Sequence, residues 1–136
     1  MFCGVIGGHV DAHVVVETDE TVVFLDRSPL FKGHVLVAPR AHVPTLPDLP
    51  DAAIAPFFTT VRDIARAMPA ALGSDGTFVA INNVVSQSVA HLHVHVVPRR
   101  RKDGLRGFFW PRQRYVDDDE AAGFAASLRA ALRGGG

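Results

Sequence analysis

One cysteine, Cys3, is all that the 136 residues contain. An internal disulfide is therefore excluded, and a reducing cytoplasm is the natural setting for such a chain. Charge of one sign is missing too, because 14 Lys and Arg balance 14 Asp and Glu. Bulk binding to nucleic acid or to anionic membranes needs a basic excess, and none is present. No apolar run approaches the roughly 18 residues of a membrane span, and no signal-peptide pattern opens the sequence. Internal repeats and linkers are absent. The expectation is one soluble domain over 1–136 with a sizeable core, since 48% of residues are hydrophobic and 21% charged, an ordinary globular balance.

What is present reads as strands around two helices. Residues 2–6 suit a short strand or turn ended by Gly7–Gly8. His13–Thr18 and Thr21–Leu25 are rich in β-branched residues on either side of Asp19–Glu20, a hairpin pattern. Asp26-Arg27-Ser28-Pro29 is turn chemistry, and 33–38 is a strand closed by Pro39. Val43–Pro50 holds three prolines and must be extended or looped. From Asp51 to Leu72, the residues Ile54, Phe57, Phe58, Val61, Ile64, Ala65 and Met68 form an apolar stripe at helical spacing. Asp48 or Asp51 is the expected N-cap, and Pro56 leaves the first turn either kinked or separate. A strand at Thr77–Asn82, a polar turn at 83–88 and a long basic and aromatic loop after Pro98 follow. A C-terminal helix begins at the acidic run Asp117–Glu120, with Phe124, Ala125, Leu128 and Leu132 on its apolar side, and a frayed tail closes segment 116–136. The pattern predicts an α+β fold with a mainly antiparallel sheet.

The decisive stretch is His91-Leu92-His93-Val94-His95-Val96-Val97. Strict alternation is the period of a half-buried strand, so the three imidazoles share one face and the aliphatic residues the other. Three readings follow. The histidines could satisfy backbone groups only. Neutral imidazoles could hold a catalytic metal, although two rings reach one ion more easily than three along a strand. Or a neutral ring nitrogen attacks phosphorus, with its neighbours fixing its tautomer. His93, flanked on both sides, is then the nucleophile.

This run resembles the His-φ-His-φ-His-φ-φ signature of the histidine triad (HIT) family. Gln87-Ser88-Val89 resembles that family's lead-in. Asp26–Pro29 followed by Gly33–Val37 is similar to its nucleotide-binding strand–turn–strand, and Pro39-Arg40-Ala41-His42 to the histidine that follows. The resemblance runs from about residue 2 to 115. It implies a five-stranded HIT-like fold with two helices, whose sheet extends to ten strands across a homodimer. It also implies hydrolysis or transfer of a purine nucleoside monophosphoryl group through a covalent nucleotidyl-histidine on His93, with no cofactor required. In that reading His91 and His95 orient His93 and bind phosphate. Gln87 and Ser88 donate to the phosphoryl oxygens, and Asn82 or Asn83 lies near the phosphate or leaving group. Asp26 accepts from the ribose hydroxyls, Ser28 belongs to the same nucleotide-binding turn, and His34 supports the site. Phe2, Val5, Ile6, Phe24 and Leu25 could line a base slot.

Two features depart from the family pattern. Its members commonly carry glycines before the Gln, whereas Asn82-Asn83-Val84-Val85-Ser86 has none. Cys3, His42 and His91 match three of the four positions at which some bacterial relatives bind structural zinc. The basic run 99–102 is either a solvated loop or a steering surface for a polyphosphate tail, which tilts the substrate toward dinucleoside polyphosphates over nucleoside phosphoramidates. A nucleotide-binding module with little turnover and a metal-dependent hydrolase are the other two functional classes.

Overall fold

The computed structural model describes residues 13–105 and 112–134. The strand expected at 2–6, the aromatic stretch at 107–111 and Cys3 lie outside those residues. The chain divides into two compact units, Met1–Asp103 and Gly104–Gly136.

In the first unit, β1 (Val14–Glu17) and β2 (Thr21–Leu25) form the expected hairpin. β3 (Val35–Pro39), a 3-10 turn (Leu46–Asp48), α1 (Asp51–Leu72), β4 (Gly76–Ala80) and β5 (Val94–Arg99) follow. Every strand pair is antiparallel, in the order β1-β2-β3-β5-β4. The second unit holds α2 (Asp118–Gly134), which continues two residues into the tail expected from Arg133.

The alternation along the strands separates two cores. Val23, Val35, Val37, Val94 and Val96 point to one face, where they bury against Phe57, Val61 and Met68 of α1. Each such side chain, fully buried, contributes roughly 1.5–3 kcal/mol. Val22, Phe24, Leu36 and Ala38 form a second cluster on the opposite face. His95 pairs with Leu36 across the β3–β5 ladder, so it belongs to the second face. The helix thus covers one side of the sheet and leaves the histidines on the other.

Two local expectations are corrected and one is resolved. The N-cap of α1 is Pro50, with φ −63° and ψ 148°. Asp48 instead accepts from the Thr45 hydroxyl at 2.6 Å and the Thr45 N–H at 3.2 Å, closing the 3-10 turn. α1 also runs unbroken through Pro56 and Pro69. Finally, β5 begins at Val94, not His91. β3 ends at Pro39, which has no N–H to continue a ladder, and the Arg40 N–H turns to Glu20 O at 2.8 Å. His91 and His93 therefore lie in an extended lead-in, where Leu92 N–H donates to Val43 O at 2.6 Å.

Two side chains of the basic run after Pro98, Arg99 and Arg100, are built into the scaffold. Arg99 forks onto Asp103, with Nε–Oδ2 2.6 Å and Nη2–Oδ1 2.9 Å. Arg100 reaches the end of α1 and donates to Gly73 O and Leu72 O, both at 2.6 Å. Carbonyls there have no intrahelical partner and sit at the negative end of the helix dipole, so a guanidinium suits both needs.

Candidate active site

The site is assembled from the β2–β3 turn, β3 and the lead-in to β5, and a chain of hydrogen bonds fixes its protons. Leu30 N–H donates to His34 Nδ1 at 3.1 Å. That nitrogen is an acceptor, so the His34 proton sits on Nε2. His34 Nε2 lies 3.0 Å from His95 Nδ1 and 3.7 Å from Asp26 Oδ2. It donates to His95 Nδ1, which leaves His95 with its proton on Nε2. Independently, His93 Nδ1 is 2.8 Å from the His91 carbonyl. A carbonyl only accepts, so His93 carries its proton on Nδ1 and its lone pair on Nε2. His91 Nε2 donates to Pro39 O at 2.7 Å. The His93 and His95 ring centroids are 5.0 Å apart and steeply inclined, at 68°. Asp26 is held by its own turn, with Ser28 N–H donating to Oδ1 at 2.9 Å. Asp26, His34, His91, His93 and His95, named from sequence, are thus gathered in one network.

Burial favours the neutral form of three of these rings, His34, His91 and His95. Burial pushes His95 down to about 4, the neighbouring His93 and His34 rings add to the fall, and Asp26 opposes it. His34 is lowered by burial against the pull of Asp26. His91 is lowered by burial, with the Pro39 carbonyl opposing and His42 and His93 assisting. Unfolding returns each to near 6.5. The unfolded chain therefore binds more protons as pH falls below that value, and stability declines from about pH 6.5 toward 4 while being fully present above. The expected result is a lower Tm at pH 5 than at pH 7.5 by thermal denaturation, with a smaller difference in His95→Gln. An equal Tm at both values overturns the assignment of neutral rings.

Donor atoms of Asp26, His34 and His95 all lie within 4.8 Å of one another, close enough to share a cation. The tautomers oppose it, because ligation at His34 Nε2 moves that ring's proton to Nδ1, against the Leu30 N–H. His42 and His91 form a second pair of rings, 5.4 Å apart, and with the His91 proton on Nε2 its Nδ1 bears the lone pair that a cation would take.

The loop before the histidines departs from expectation. Gln87, assigned to the phosphoryl oxygens, has its amide committed within the protein: Nε2 donates to Pro44 O at 2.6 Å and Oε1 accepts from Val84 N–H at 3.0 Å. Asn83 Oδ1 accepts from Leu46 N–H at 2.9 Å. Both side chains pin the loop to residues 44–46. Asn82 and Ser88 stand exposed along it. Without glycines, the loop forces Val84 to φ 68° and Ser86 to φ 62°. A left-handed β-branched residue costs roughly 1–2 kcal/mol, and the two side-chain clamps hold it there. Of the base-slot residues, Phe24 is buried in the second core and Leu25 is partly exposed, while Phe2, Val5 and Ile6 lie outside the described residues. Sequence reasoning missed the groups that set the tautomers, namely Leu30 N–H and the carbonyls of His91 and Pro39. A backbone group has no letter of its own in a sequence.

An antiparallel α+β unit with interlocked imidazoles on the face away from its helix defines the histidine-triad class. Residues 8–102 match the HIT domain family, and the chain belongs to it. It is 34% identical over 137 residues to adenosine 5′-monophosphoramidase HNT1 of Saccharomyces cerevisiae, covering 98% of this chain and 83% of that one. It is 35% identical over 107 residues to adenylylsulfatase HINT3 of Arabidopsis thaliana, covering 77% of this chain and 54% of that one. Among solved structures, SMU.412c from Streptococcus mutans is similar with a TM-score of 0.87 and 30% identity, over 97% of this chain and 84% of that one.

Proposed function

We propose that this protein hydrolyses purine nucleoside 5′-phosphoryl conjugates that carry a compact leaving group, through a covalent nucleotidyl-His93. The observation that carries the reading is the 2.8 Å bond from His93 Nδ1–H to the His91 carbonyl, which puts the ring's lone pair on Nε2, the nitrogen that attacks. Nε2 attacks the α-phosphorus and forms a P–N bond as the bond to the leaving group breaks. The positive charge that develops on the ring is stabilised by the His91 carbonyl at Nδ1–H. Water then attacks phosphorus, the P–N bond breaks, and a nucleoside monophosphate leaves with His93 regenerated. The Nε2–H of neutral His95 is a donor for a phosphoryl oxygen, and Asp26 an acceptor for ribose hydroxyls. The clamps of Gln87 and Asn83 give these two residues a positioning role. Ser88 and Asn82 remain the donors available on the loop.

The tilt toward a polyphosphate leaving group weakens once Arg99 and Arg100 are engaged with Asp103 and the end of α1. A phosphoramidate or a mixed anhydride with sulfate needs no cationic track, and the relatives named as a phosphoramidase and an adenylylsulfatase support that class. The reading includes a cytoplasmic homodimer whose sheet continues across β4, an edge strand paired on one side by β5. It also includes a structural zinc on Cys3, His42 and His91 that takes no part in the displacement.

Chromatography of AMP released from adenosine phosphoramidate, adenylyl sulfate and diadenosine tetraphosphate tests the reading, with chelator present throughout. Turnover of one of the first two exceeding the third by about tenfold or more is the expected result. Faster cleavage of the tetraphosphate overturns the leaving-group assignment. Loss of all activity on chelation overturns the metal-free displacement.

A further inference from the structure

Asp26 stands between two tasks. Its Oδ1 is taken by the Ser28 N–H at 2.9 Å, which leaves Oδ2 as the oxygen open to ribose hydroxyls. The same Oδ2 lies 3.7 Å from His34 Nε2, the nitrogen that donates to His95 Nδ1 at 3.0 Å. Donor atoms of the three side chains all fall within 4.8 Å of one another. His34 has one proton to give here, because its Nδ1 accepts from Leu30 N–H at 3.1 Å. At 3.7 Å Oδ2 is out of hydrogen-bond range, but a shift of about 0.7 Å brings it within reach. Of the two acceptors facing that proton, the carboxylate is the stronger. Solvation holds it back: 23% of the Asp26 side chain is exposed against 4% of His34, so water serves the carboxylate in the free protein.

We propose that Asp26 and His34 couple ribose recognition to the chemical step: hydroxyls on Oδ2 leave the His34 proton to His95, and a bound nucleotide that lacks them lets Asp26 draw it away. The coupling rests on the nucleotidyl-transfer function proposed above. A nucleoside seated over Asp26 excludes its solvent. Where the 2′- and 3′-hydroxyls replace that water, the carboxylate is satisfied and His34 stays on His95. Where they are missing, Oδ2 is covered without a partner, and turning to His34 Nε2–H relieves the loss. His95 Nδ1 then has no donor, and the ring proton is released to pass from Nε2 to Nδ1. In that tautomer His95 presents a lone pair to the phosphoryl oxygen, and charge developing there goes unmet. His34 is thus a positioning residue whose proton reports the sugar to the phosphorus. The penalty for a missing hydroxyl falls on kcat, whereas a contact that only held ribose would raise KM alone.

Adenosine phosphoramidate and its 2′,3′-dideoxy counterpart test this on the full-length protein. Wild type should turn over the dideoxy compound with kcat lower by about tenfold or more, beyond any rise in KM. His34→Gln places an amide with two N–H donors where His34 has one, enough for Oδ2 and His95 together. Its kcat ratio should fall toward one while the KM ratio stays. A wild-type difference confined to KM overturns the proposal. So does a kcat ratio that His34→Gln leaves unchanged, which would mean plain misplacement of the substrate. Imidazole nitrogen NMR signals of the wild-type protein give a second readout that needs no turnover. His95 should carry its proton on Nε2 in the free protein and with AMP, and share it between both nitrogens with 2′,3′-dideoxy-AMP. An unchanged His95 signal with the dideoxy nucleotide bound overturns the coupling alone. Histidine signals that AMP leaves untouched overturn the nucleotide function itself, and the coupling with it.

Discussion

Replacing His93 with alanine should abolish turnover, lowering kcat/KM by on the order of 10⁴-fold or more while AMP still binds. The size follows from what the side chain supplies. In a two-step displacement the nucleophile forms the only bond that divides one difficult hydrolysis into two easier ones. No neighbour can take its place. His95 Nδ1 is occupied by the His34 Nε2 proton at 3.0 Å, and the His91 lone pair, on Nδ1, is buried away from the solvent-facing side of the site. The measurement is AMP release under single-turnover conditions, with trapping of labelled nucleotide on acid-quenched protein. Wild type should retain label during turnover and His93→Ala should not. Turnover in the variant within tenfold of wild type would remove His93 as the nucleophile.

Gly33→Ala should be the most damaging small substitution in the scaffold, at roughly 2–3 kcal/mol of stability, with a loss of activity alongside. Gly33 has φ +102°, and a Cβ there would sit 2.6 Å from Leu72 Cδ1 and 3.3 Å from Pro98 Cγ. Two costs add: a backbone conformation that L-residues avoid, which is the larger, and an overlap that makes the exposed tip of Leu72 turn aside. The next residue is His34, whose Nε2 proton orients His95, so displacement of this turn carries into the site. Chemical denaturation should show the loss, with Gly76→Ala as the control because nothing lies within 4 Å of its added carbon. Equal stability of the two variants would show that the turn relaxes at little cost.

The fold was largely legible because its signals are periodic. The span of α1 was set by an uninterrupted apolar stripe, and the β1–β2 hairpin by β-branched runs around Asp19–Glu20. Strict alternation in 91–97 set the histidine face, and the resemblance supplied the five-strand sheet. The errors fell where one residue type has two uses. Asp48 is a good N-cap, yet it closes a preceding turn. Pro56 left the first turn either kinked or separate, and the helix is continuous through it: a proline there removes only one hydrogen bond, and the packing of Phe57, Val61 and Met68 outweighs that loss. The run Arg99–Arg100 has the composition of an anion track, and its use as a cap depends on where the end of α1 comes to lie, which composition does not carry. Gln87 was assigned to the phosphoryl oxygens, whereas its amide bonds Pro44 O and Val84 N–H, because a glycine-free loop must be tied down by its own side chains.

The two-faced sheet also sets the terms on which this protein can change. Val35 and Val37 alternate along β3 with His34 and Leu36, so a single strand is shared between the support and the chemistry. Substitutions that keep an apolar residue at an odd position of this strand alter only thermal tolerance, whereas those at His34 alter catalysis directly. The partition tolerates exchange at fixed spacing and forbids a change of frame. Adding or removing one residue inside β3, between Val35 and Ala38, would throw the side chains on one side of the change onto the wrong face in one event. Lineages that carry this strand are therefore free to drift in letter but held to its count.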